Sequence, residues 1–441
     1  MRRCSWRRRP ATSSPATRWW WTAARWRVPC CKRTTELTRD DAAALDDADE
    51  LAAFRERFVL PEGVIYLDGN SLGPLPKATQ ARVAEVLERE WGQSLIRSWT
   101  DHGWIDLQFR IGDKIGRLIG AAPGTTVVAD STSVNLFKLL AAALDQRPGR
   151  QVILTEEGNF PTDLYVAQGL VALLQRGYVL RQVTDVMAAL DHTVAVLMLT
   201  HVNYCSGAMH DMAALTRAAH EAGALVLWDL SHSAGAVPLQ LDADGVDLAV
   251  GCGYKYLNGG PGAPAFLCVA GHLQDDLRLP LTGWLGHAAP FAFESNYRPA
   301  GGIARTVVGT PPILSLAALE AGIDIALEAP MAPLRAKSQL LADLFITLMA
   351  TQPEFRLLTP SQPSQRGSQV AFAHPHGYAI MQALIERGVI GDFRAPDVLR
   401  FGLAPLYVRF VDVWDAVAVL RDVMRSGAWE ASARPERRKV T

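Results

Sequence analysis

The pattern of apolar and polar residues changes near residue 121 and again near residue 330. Between these points, short apolar runs alternate with segments whose apolar residues recur every three or four positions. The runs predict strands and the periodic segments predict helices. Strands are predicted at 151–154, 194–200, 224–229, 246–252 and 263–269, and helices at 134–144, 163–175 and 212–222. Such alternation is typical of an α/β fold with a mostly parallel sheet covered by helices on both faces.

The flanking regions predict a second, smaller unit. Before residue 121, the pattern predicts a helix at 40–57, an extended piece at 64–67, a turn at 68–76 and amphipathic helices at 78–97 and 104–119. After an irregular region at 279–310, it predicts helices at 313–328, 334–349, 378–387 and 413–425 and strands at 369–373 and 399–403. Pro330 and Pro333 indicate a boundary. We therefore expect a helix and turn segment at 36–75, a large domain at 76–330, a small α+β domain at 331–428 and a flexible tail at 429–441.

Charge is distributed unevenly along the 441 residues. Residues 1–35 hold nine arginines, one lysine, no acid and five of the twelve tryptophans, and they lack apolar periodicity. This segment is either an organelle transit peptide or, as we prefer, translated sequence upstream of the true start, and we expect disorder in both cases. The remainder carries 34 basic and 45 acidic residues, a net charge of −11. An acidic body argues against a nucleic-acid partner.

Several classes of protein lack support in the sequence. The six cysteines form no CxxC pair or zinc-spaced cluster, which indicates reduced thiols and a cytoplasmic protein without a metal site. No apolar run is long enough to span a membrane. P-loop, dinucleotide-binding and HExxH motifs do not occur, so nucleotide and zinc chemistry lose their usual sequence support.

One lysine stands between two predicted strands. Lys255 lies in GYKYLNGGPG, whose glycines, asparagine and proline predict a tight loop. By itself such a residue is more often a solvated loop lysine. Asp229, however, follows an apolar run 26 residues earlier, where a buried carboxylate needs a cationic partner. The protonated ring nitrogen of pyridoxal phosphate is such a partner, so the two residues together predict a lysine that forms a Schiff base with this cofactor.

Other polar and aromatic residues follow predicted strands, where ligands of parallel sheets gather. Thr132 and Ser133 precede a helix whose N-terminus attracts phosphate, although an ordinary helix cap is commoner. Phe160 is either a ring that stacks on a flat heterocycle or part of the core. Asp163 is either a helix cap or a second polar contact to that heterocycle. His232 is placed to bind a phenolic oxygen, or it is a buried polar group satisfied elsewhere.

Five motifs then resemble one family. They are YLDGNSLGPLP (66–76), NFPTD (159–163), DLSHSAGAVP (229–238), GYKYLNGGPG (253–262) and GTPPILSL (309–316). In this order they resemble the kynureninases, and the resemblance runs from about residue 36 to about residue 425. It implies the fold-type I architecture of pyridoxal-phosphate enzymes. It also implies hydrolysis of L-kynurenine or 3-hydroxy-L-kynurenine to an anthranilate and alanine, in tryptophan catabolism and NAD biosynthesis.

The resemblance implies a role for each candidate residue. Lys255 would hold the cofactor, Asp229 would pair with its ring nitrogen, and Tyr254 would contact its phosphate and serve as general acid and base. Further cofactor contacts are implied for Thr132, Ser133, Phe160, Asp163, Thr200 and His232, and for Trp284 and Thr310 from the second subunit of a homodimer with shared active sites. Arg400 would bind the substrate α-carboxylate, with Arg394 as a competitor and Ser71 nearby. Trp99, His102 and Trp104 offer aromatic surface for the aryl group, but the resemblance does not align them.

Three alternatives remain open at this point. A class V aminotransferase is compatible with the composition. A cysteine desulfurase would need a nucleophilic cysteine in the C-terminal half, and no cysteine follows Cys268. A non-catalytic binder on the same fold would be expected to have lost Lys255, Asp229 or Arg400, and all three are present. The choice between kynurenine and its 3-hydroxy derivative is not decided by the sequence.

Overall fold

A computed structural model describes residues 37–431, so the predictions for residues 1–35 and for the tail from 432 onwards lie outside the described residues. The strands are β1 Ile65–Tyr66, β2 Thr126–Val128, β3 Val152–Glu156, β4 Val179–Val183, β5 Val194–Thr200, β6 Leu225–Asp229, β7 Leu248–Gly251, β8 Phe266–Val269, β9 Arg356–Leu357, β10 Gln369–Ala373, β11 Val389–Ile390, β12 Asp392–Arg394 and β13 Val398–Gly402. The α-helices are Arg39–Asp47, Lys77–Glu85, Ser98–Asp101, Leu107–Ile119, Thr132–Asp145, Pro161–Leu174, Val186–Ala189, Met212–Glu221, Ile313–Glu328, Met331–Met349, Gly377–Glu386, Phe410–Ser426 and Ala428–Ala431. A π-helix spans Val86–Ser94, and 3-10 turns occur at Ala52–Arg57, Leu95–Arg97, Trp104–Asp106, Gln274–Asp276, Trp284–Gly286, Pro290–Ala292, Gly302–Thr306 and Pro363–Gln365.

Within residues 37–431, the largest sheet has seven strands in the order β2-β8-β7-β6-β5-β3-β4. Strands β3 to β7 pair in parallel, whereas β8 is antiparallel to both β7 and β2. All seven residues of β5 are buried, because helices cover both faces of the sheet. The predicted α/β fold with a mostly parallel sheet is therefore confirmed.

Two strands of this sheet, the three-residue β2 and the edge strand β4, are absent from the prediction. Strand β4 pairs with β3 at the edge of the sheet, and its residues are half-buried or exposed. Because an edge strand needs no continuous apolar run, Arg181 and Gln182 interrupt the pattern by which the central strands are recognised. Recognition of strands by continuous apolar runs therefore underestimates the number of strands in the sheet.

Two of the predicted helices are not continuous. The helix predicted at 40–57 ends at Asp47 and resumes as a 3-10 turn at Ala52–Arg57. Between them, Asp49 accepts a hydrogen bond from the backbone N–H of Leu51 at 2.9 Å and pairs with Lys337 at 2.7 Å, which replaces helical hydrogen bonding. The helix predicted at 78–97 changes at residue 86 into the π-helix, where buried Glu90 accepts hydrogen bonds from Arg82 and Trp104.

The C-terminal region contains a four-stranded antiparallel sheet in the order β12-β13-β10-β9. The N-terminal segment is attached to this region, since β1 pairs in parallel with β11 and Gly402 donates its N–H to the carbonyl of Leu67 at 2.6 Å. Asp46 also accepts hydrogen bonds from the first backbone N–H groups of the Phe410–Ser426 helix. The turn that follows β1 is thus held beside β13. None of the helices in residues 37–431 combines the length and apolar character needed to cross a bilayer.

Candidate active site

The candidate residues follow strands that end at one edge of the large sheet. Val128 of β2 and Gly251 of β7 both pair with Phe266 of β8, so β2 and β7 end at the same edge. Thr200, at the end of β5, pairs with Asp229, at the end of β6. The segments that follow these strands therefore meet at the carboxyl edge, where ligands of such sheets bind.

Lys255 lies on the tight loop that follows β7. The loop is closed by a hydrogen bond from the N–H of Asn258 to the carbonyl of Lys255 at 3.0 Å, and the N–H of Gly73 donates to the carbonyl of Tyr254 at 2.8 Å. The ammonium group of Lys255 lies 2.9 Å from Nε2 of His232. It also lies 6.0 Å from the centre of the Phe160 ring and 5.9 Å from the centre of the Tyr254 ring. The lysine thus has an aromatic and a polar neighbour on a rigid turn.

Two buried carboxylates face this lysine. Burial raises the pKa of Asp229, although the N–H of Ser231, which donates to it at 2.7 Å, and the charge of Lys255 oppose the shift. Burial and the negative charge of Asp229 raise the pKa of Asp163 well above its usual range. The hydroxyl of Thr200 lies between Asp163, at 3.3 Å, and the side-chain oxygen of Asn159, at 2.5 Å. Burial therefore favours the neutral form of both acids unless further positive charge lies beside them.

His232 is neutral in this setting. Burial and then the charges of Lys255, Arg400 and Arg394 lower its pKa well below the usual value, while the nearby side chain of Gln369 opposes the shift. A neutral ring that accepts from Lys255 through Nε2 carries its proton on Nδ1. Within residues 37–431, Nδ1 is buried without a hydrogen bond of normal geometry. A buried donor of this kind fits a ligand oxygen.

The Thr132–Asp145 helix follows β2 and begins at the same edge of the sheet as the lysine loop. Its cap is Ser131, whose hydroxyl accepts from the N–H of Val134 at 3.3 Å, so Thr132 and Ser133 lie in the first turn and not before the helix as predicted. Beneath this turn, fully buried Lys138 pairs with Asp130 at 2.7 Å and donates to the carbonyl of Thr306 at 2.8 Å. The free N–H groups and hydroxyls of the turn fit a phosphate group.

These residues fit pyridoxal phosphate. A flat heterocycle needs an aromatic neighbour, which Phe160 provides, and a protonated ring nitrogen needs a buried acid, which Asp229 provides. A lysine amine is available for covalent attachment, and the helix N-terminus is available for the phosphate. A cationic ring beside Asp229 and Asp163 would stabilise the charged form that burial disfavours.

A second cluster, around Arg400, lies in the β12–β13 hairpin. Arg400 is buried, and both of its donor groups on one side, Nε and Nη2, contact Asp392, with Nε at 2.7 Å from Oδ1. Nη2 also donates to the hydroxyl of Ser71 at 3.1 Å, and Nη1 donates to the carbonyl of Tyr204. Arg394, whose side chain is 38% exposed, contacts Asp392 at 2.8 Å and the Ser71 hydroxyl at 3.4 Å. Both candidate arginines therefore lie beside Ser71.

Two acids of this cluster are missing from the sequence prediction. Asp392 is fully buried, and the adjacent guanidinium of Arg400 holds its pKa below the usual value against the effect of burial. Burial and the charge of Asp392 raise the pKa of Asp68 to about 7, although Ser71, Arg400 and Arg394 oppose the shift. The antiparallel pairing of Asp392 with Arg400 could have been found by aligning the hairpin. No local pattern connects Asp68 with either residue.

The remaining candidates are Trp284 and Thr310, and the aromatic group of Trp99, His102 and Trp104. Trp284 is 38% exposed and packs edge-on against Phe291, and Thr310 is exposed. Neither residue hydrogen-bonds to the lysine loop within residues 37–431. Trp99 and Trp104 pack edge-on at 6.0 Å, and His102 hydrogen-bonds to Ser94 at 2.9 Å. The last three residues form one aromatic group that follows the π-helix.

Comparisons with known proteins agree with this arrangement. Among solved structures, a cysteine desulfurase from Thermococcus onnurineus NA1 superimposes with a TM-score of 0.72 at 18% identity, covering 85% of this chain and 98% of that one. A variant of the lyase C-DES with glycine linked to its pyridoxal-phosphate cofactor gives a TM-score of 0.70 at 19% identity, covering 83% and 99%. These TM-scores establish the fold, which is that of the fold-type I pyridoxal-phosphate enzymes. At such low identities the two structures show the fold alone.

Sequence comparisons identify the family. The model of the kynureninase C-terminal domain matches residues 334–420. A kynureninase from Pseudomonas fluorescens is 53% identical over 414 residues, and one from Burkholderia pseudomallei strain 1106a is 54% identical over 415 residues. Each alignment covers 92% of this chain and all of the relative. Because similarity of this extent leaves no part of the relatives unmatched, the chain belongs to the kynureninase family.

Proposed function

We propose that this protein hydrolyses L-kynurenine, and 3-hydroxy-L-kynurenine, to the corresponding anthranilate and L-alanine with pyridoxal phosphate as cofactor. The observation that carries the proposal is the position of Lys255 between His232, Phe160 and the buried acids, in a chain that matches kynureninases over their full length. The same enzyme would act in tryptophan catabolism, in the cytoplasm. The desulfurase alternative has no support beyond the shared fold, since no cysteine follows Cys268.

The cofactor, when bound, withdraws electrons from the substrate α-carbon. Lys255 would hold the cofactor covalently, and its amine would accept the proton that leaves the substrate α-carbon. Asp229 would be the negatively charged partner of the ring nitrogen, and Phe160 would be the aromatic neighbour of the ring. Burial raises the pKa of the Tyr254 phenol above its usual value, so this group keeps its proton at neutral pH and is available as a general acid at the substrate γ-carbonyl.

Arg400 and Ser71 would bind the substrate α-carboxylate. The buried guanidinium supplies charge-assisted hydrogen bonds, which are about twice as strong as neutral ones, and the Ser71 hydroxyl lies 3.1 Å from it. Arg394 is more exposed and lies at the same position, so it adds positive charge without being the main ligand. This assignment favours Arg400 over Arg394.

A homodimer would complete the site. Trp284 and Thr310 are exposed, and Phe291 and Phe293 beside Trp284 are 64% and 78% exposed, which suits burial against a second copy. Mixing two inactive variants, Lys255→Ala and Trp284→Ala, tests this assembly. If the residues come from different subunits, mixed dimers contain one intact site and regain part of the wild-type activity, whereas no recovery would contradict the shared site.

Product analysis with L-kynurenine tests the activity itself. Formation of anthranilate and alanine in equal amounts supports the proposal, and formation of a keto acid would indicate transamination instead. Lys255→Ala is expected to lose both activity and the visible absorption band of the lysine-bound cofactor. Lys77→Ala, which changes an exposed lysine, is the matched control and is expected to retain both.

A further inference from the structure

The hydrogen bonds of Arg400 leave only one of its N–H groups for an incoming carboxylate. A guanidinium has five N–H donors, which form a side-on pair from Nε and Nη2 and an end-on pair from Nη1 and Nη2. Asp392 occupies the side-on pair with both of its oxygens. Tyr204 takes one donor of Nη1, and Ser71 takes the second donor of Nη2. Four of the five donors therefore have partners, and one N–H of Nη1 remains for a substrate carboxylate.

Asp392 also fixes the other groups around that position. Its Oδ2 accepts from the Ser71 hydroxyl at 2.7 Å and contacts Arg394 at 2.8 Å. Asp392 belongs to β12 and is paired in register with Arg400 of β13, so the contact is set by the hairpin and not by a flexible loop. With no exposed surface on its side chain, the acid makes these bonds without competition from water.

We propose that Asp392 is the positioning residue for carboxylate recognition, which holds Arg400, with its remaining Nη1 N–H, and the neighbouring Arg394 in the arrangement that binds the substrate α-carboxylate. This inference rests on the proposed function. Asp392 does not touch the substrate. It acts by holding two guanidinium groups and one hydroxyl in one arrangement, and its negative charge leaves a single net positive charge between the two arginines for the incoming carboxylate.

The charge on this acid has a second effect. Two neighbouring guanidinium groups repel each other, and a shared carboxylate keeps both in place. An amide at position 392 has one acceptor oxygen, and its NH2 group would face an N–H of Arg400, so the side-on pair would lose one partner and Arg400 would turn. Recognition of the carboxylate would then weaken, while groups that bind the amine and the aryl ketone would be unaffected.

The test compares two ligands on holoenzyme: L-kynurenine and its decarboxylated analogue, which keeps the amine and the aryl ketone. Binding is followed through the change in cofactor absorption. In Asp392→Asn, the preference for the carboxylate-bearing ligand is expected to fall about ten- to hundred-fold, as for loss of charge-assisted hydrogen bonds. The KM for L-kynurenine rises by a similar factor, and the affinity for the analogue changes less than about three-fold. Asp397→Asn, in the same hairpin, is the matched control and keeps the wild-type preference.

The outcomes separate positioning from general damage. If Asp392→Asn weakens both ligands equally, the residue supports the fold only and the proposal is overturned. If the asparagine variant does not fold, Asp392→Glu keeps the buried charge while it displaces the carboxylate, and an unchanged preference in that variant overturns the proposal. Lack of L-kynurenine hydrolysis by the wild type would refute the proposed function and this inference with it. Hydrolysis by the wild type with an unchanged preference in Asp392→Asn refutes the inference alone.

Discussion

Asp68 makes the stability of the fold depend on pH near neutrality. Burial and the charge of Asp392 raise its pKa to about 7, whereas an unfolded chain has a value near 3.9. Because the folded state holds this proton more tightly, the contribution is fully present below about pH 4 and is lost as the pH rises through about 7. Within the range from pH 5 to pH 8, the folded protein binds one proton more than the unfolded chain over about two pH units. This difference corresponds to about 3 kcal/mol of unfolding free energy.

The variant Asp68→Asn isolates this effect. Asparagine has the size of the protonated acid and cannot ionise. Between pH 5 and pH 8, the unfolding free energy of the variant is therefore expected to fall by about 3 kcal/mol less than that of the wild type. The phenols of Tyr66, Tyr256 and Tyr407 surround Asp68, and burial raises the pKa of each above its usual value, so they stay neutral in this range. Urea unfolding followed by tryptophan fluorescence at the two pH values measures the difference.

The control is Asp101→Asn, which changes an exposed aspartate and is expected to follow the wild type. A difference below about 0.5 kcal/mol between Asp68→Asn and the wild type would refute the reasoning, because it would show that Asp68 ionises as in an unfolded chain. It would also mean that Asp68 adds a full negative charge beside Arg400 and Arg394 at neutral pH. In that case the carboxylate site would carry no net positive charge at neutral pH.

Two further substitutions test the packing around the site. Asp130→Asn is expected to lower the unfolding free energy by about 3 kcal/mol because Lys138 stays buried without a charged partner, whereas Lys138→Met leaves an aspartate that is 31% exposed to water and is expected to cost less than half as much. Chemical denaturation measures both, and equal costs would contradict the ranking. Gly69→Ala is expected to destabilise the fold by about 2 kcal/mol, since its Cβ would overlap the Tyr407 hydroxyl. Adding Tyr407→Phe removes the overlapping atom and leaves a 3.1 Å approach to the ring, so the double variant is expected to recover about half of the loss, and no recovery would count against this contact.

The parts of the fold that the sequence predicted well are those whose burial is uniform. Strand β5 and the Ile313–Glu328 helix have the predicted bounds, because every residue of the strand and one broad face of the helix contact the core. The edge strand β4 lacks such burial and gave no signal. The end of the first helix after Asp47 depends on the pairing of Asp49 with Lys337. These two residues are too far apart in the sequence for a short segment to reveal the pair.

The same distinction applies to the site. Lys255, Asp229 and Thr200 could be placed together because each follows a buried strand and the ends of parallel strands share an edge. The environment of Arg400 depends on the register of a hairpin and on a turn near the start of the chain. Asp392 and Asp68 therefore had no recognisable pattern, although they determine the charge around Arg400.

The attachment of the N-terminal turn to the C-terminal sheet has a consequence for synthesis on the ribosome. Ser71 contacts Arg400 across 329 positions, and β1 has its partner in β11. The large sheet can assemble while later residues are still being added, but β1 has to wait for nearly the whole chain to emerge. Under the proposed function, carboxylate binding would therefore be the last property that a nascent molecule acquires. A chain that terminates before residue 389 would lack this half of the pocket, even with every strand of the large sheet in place.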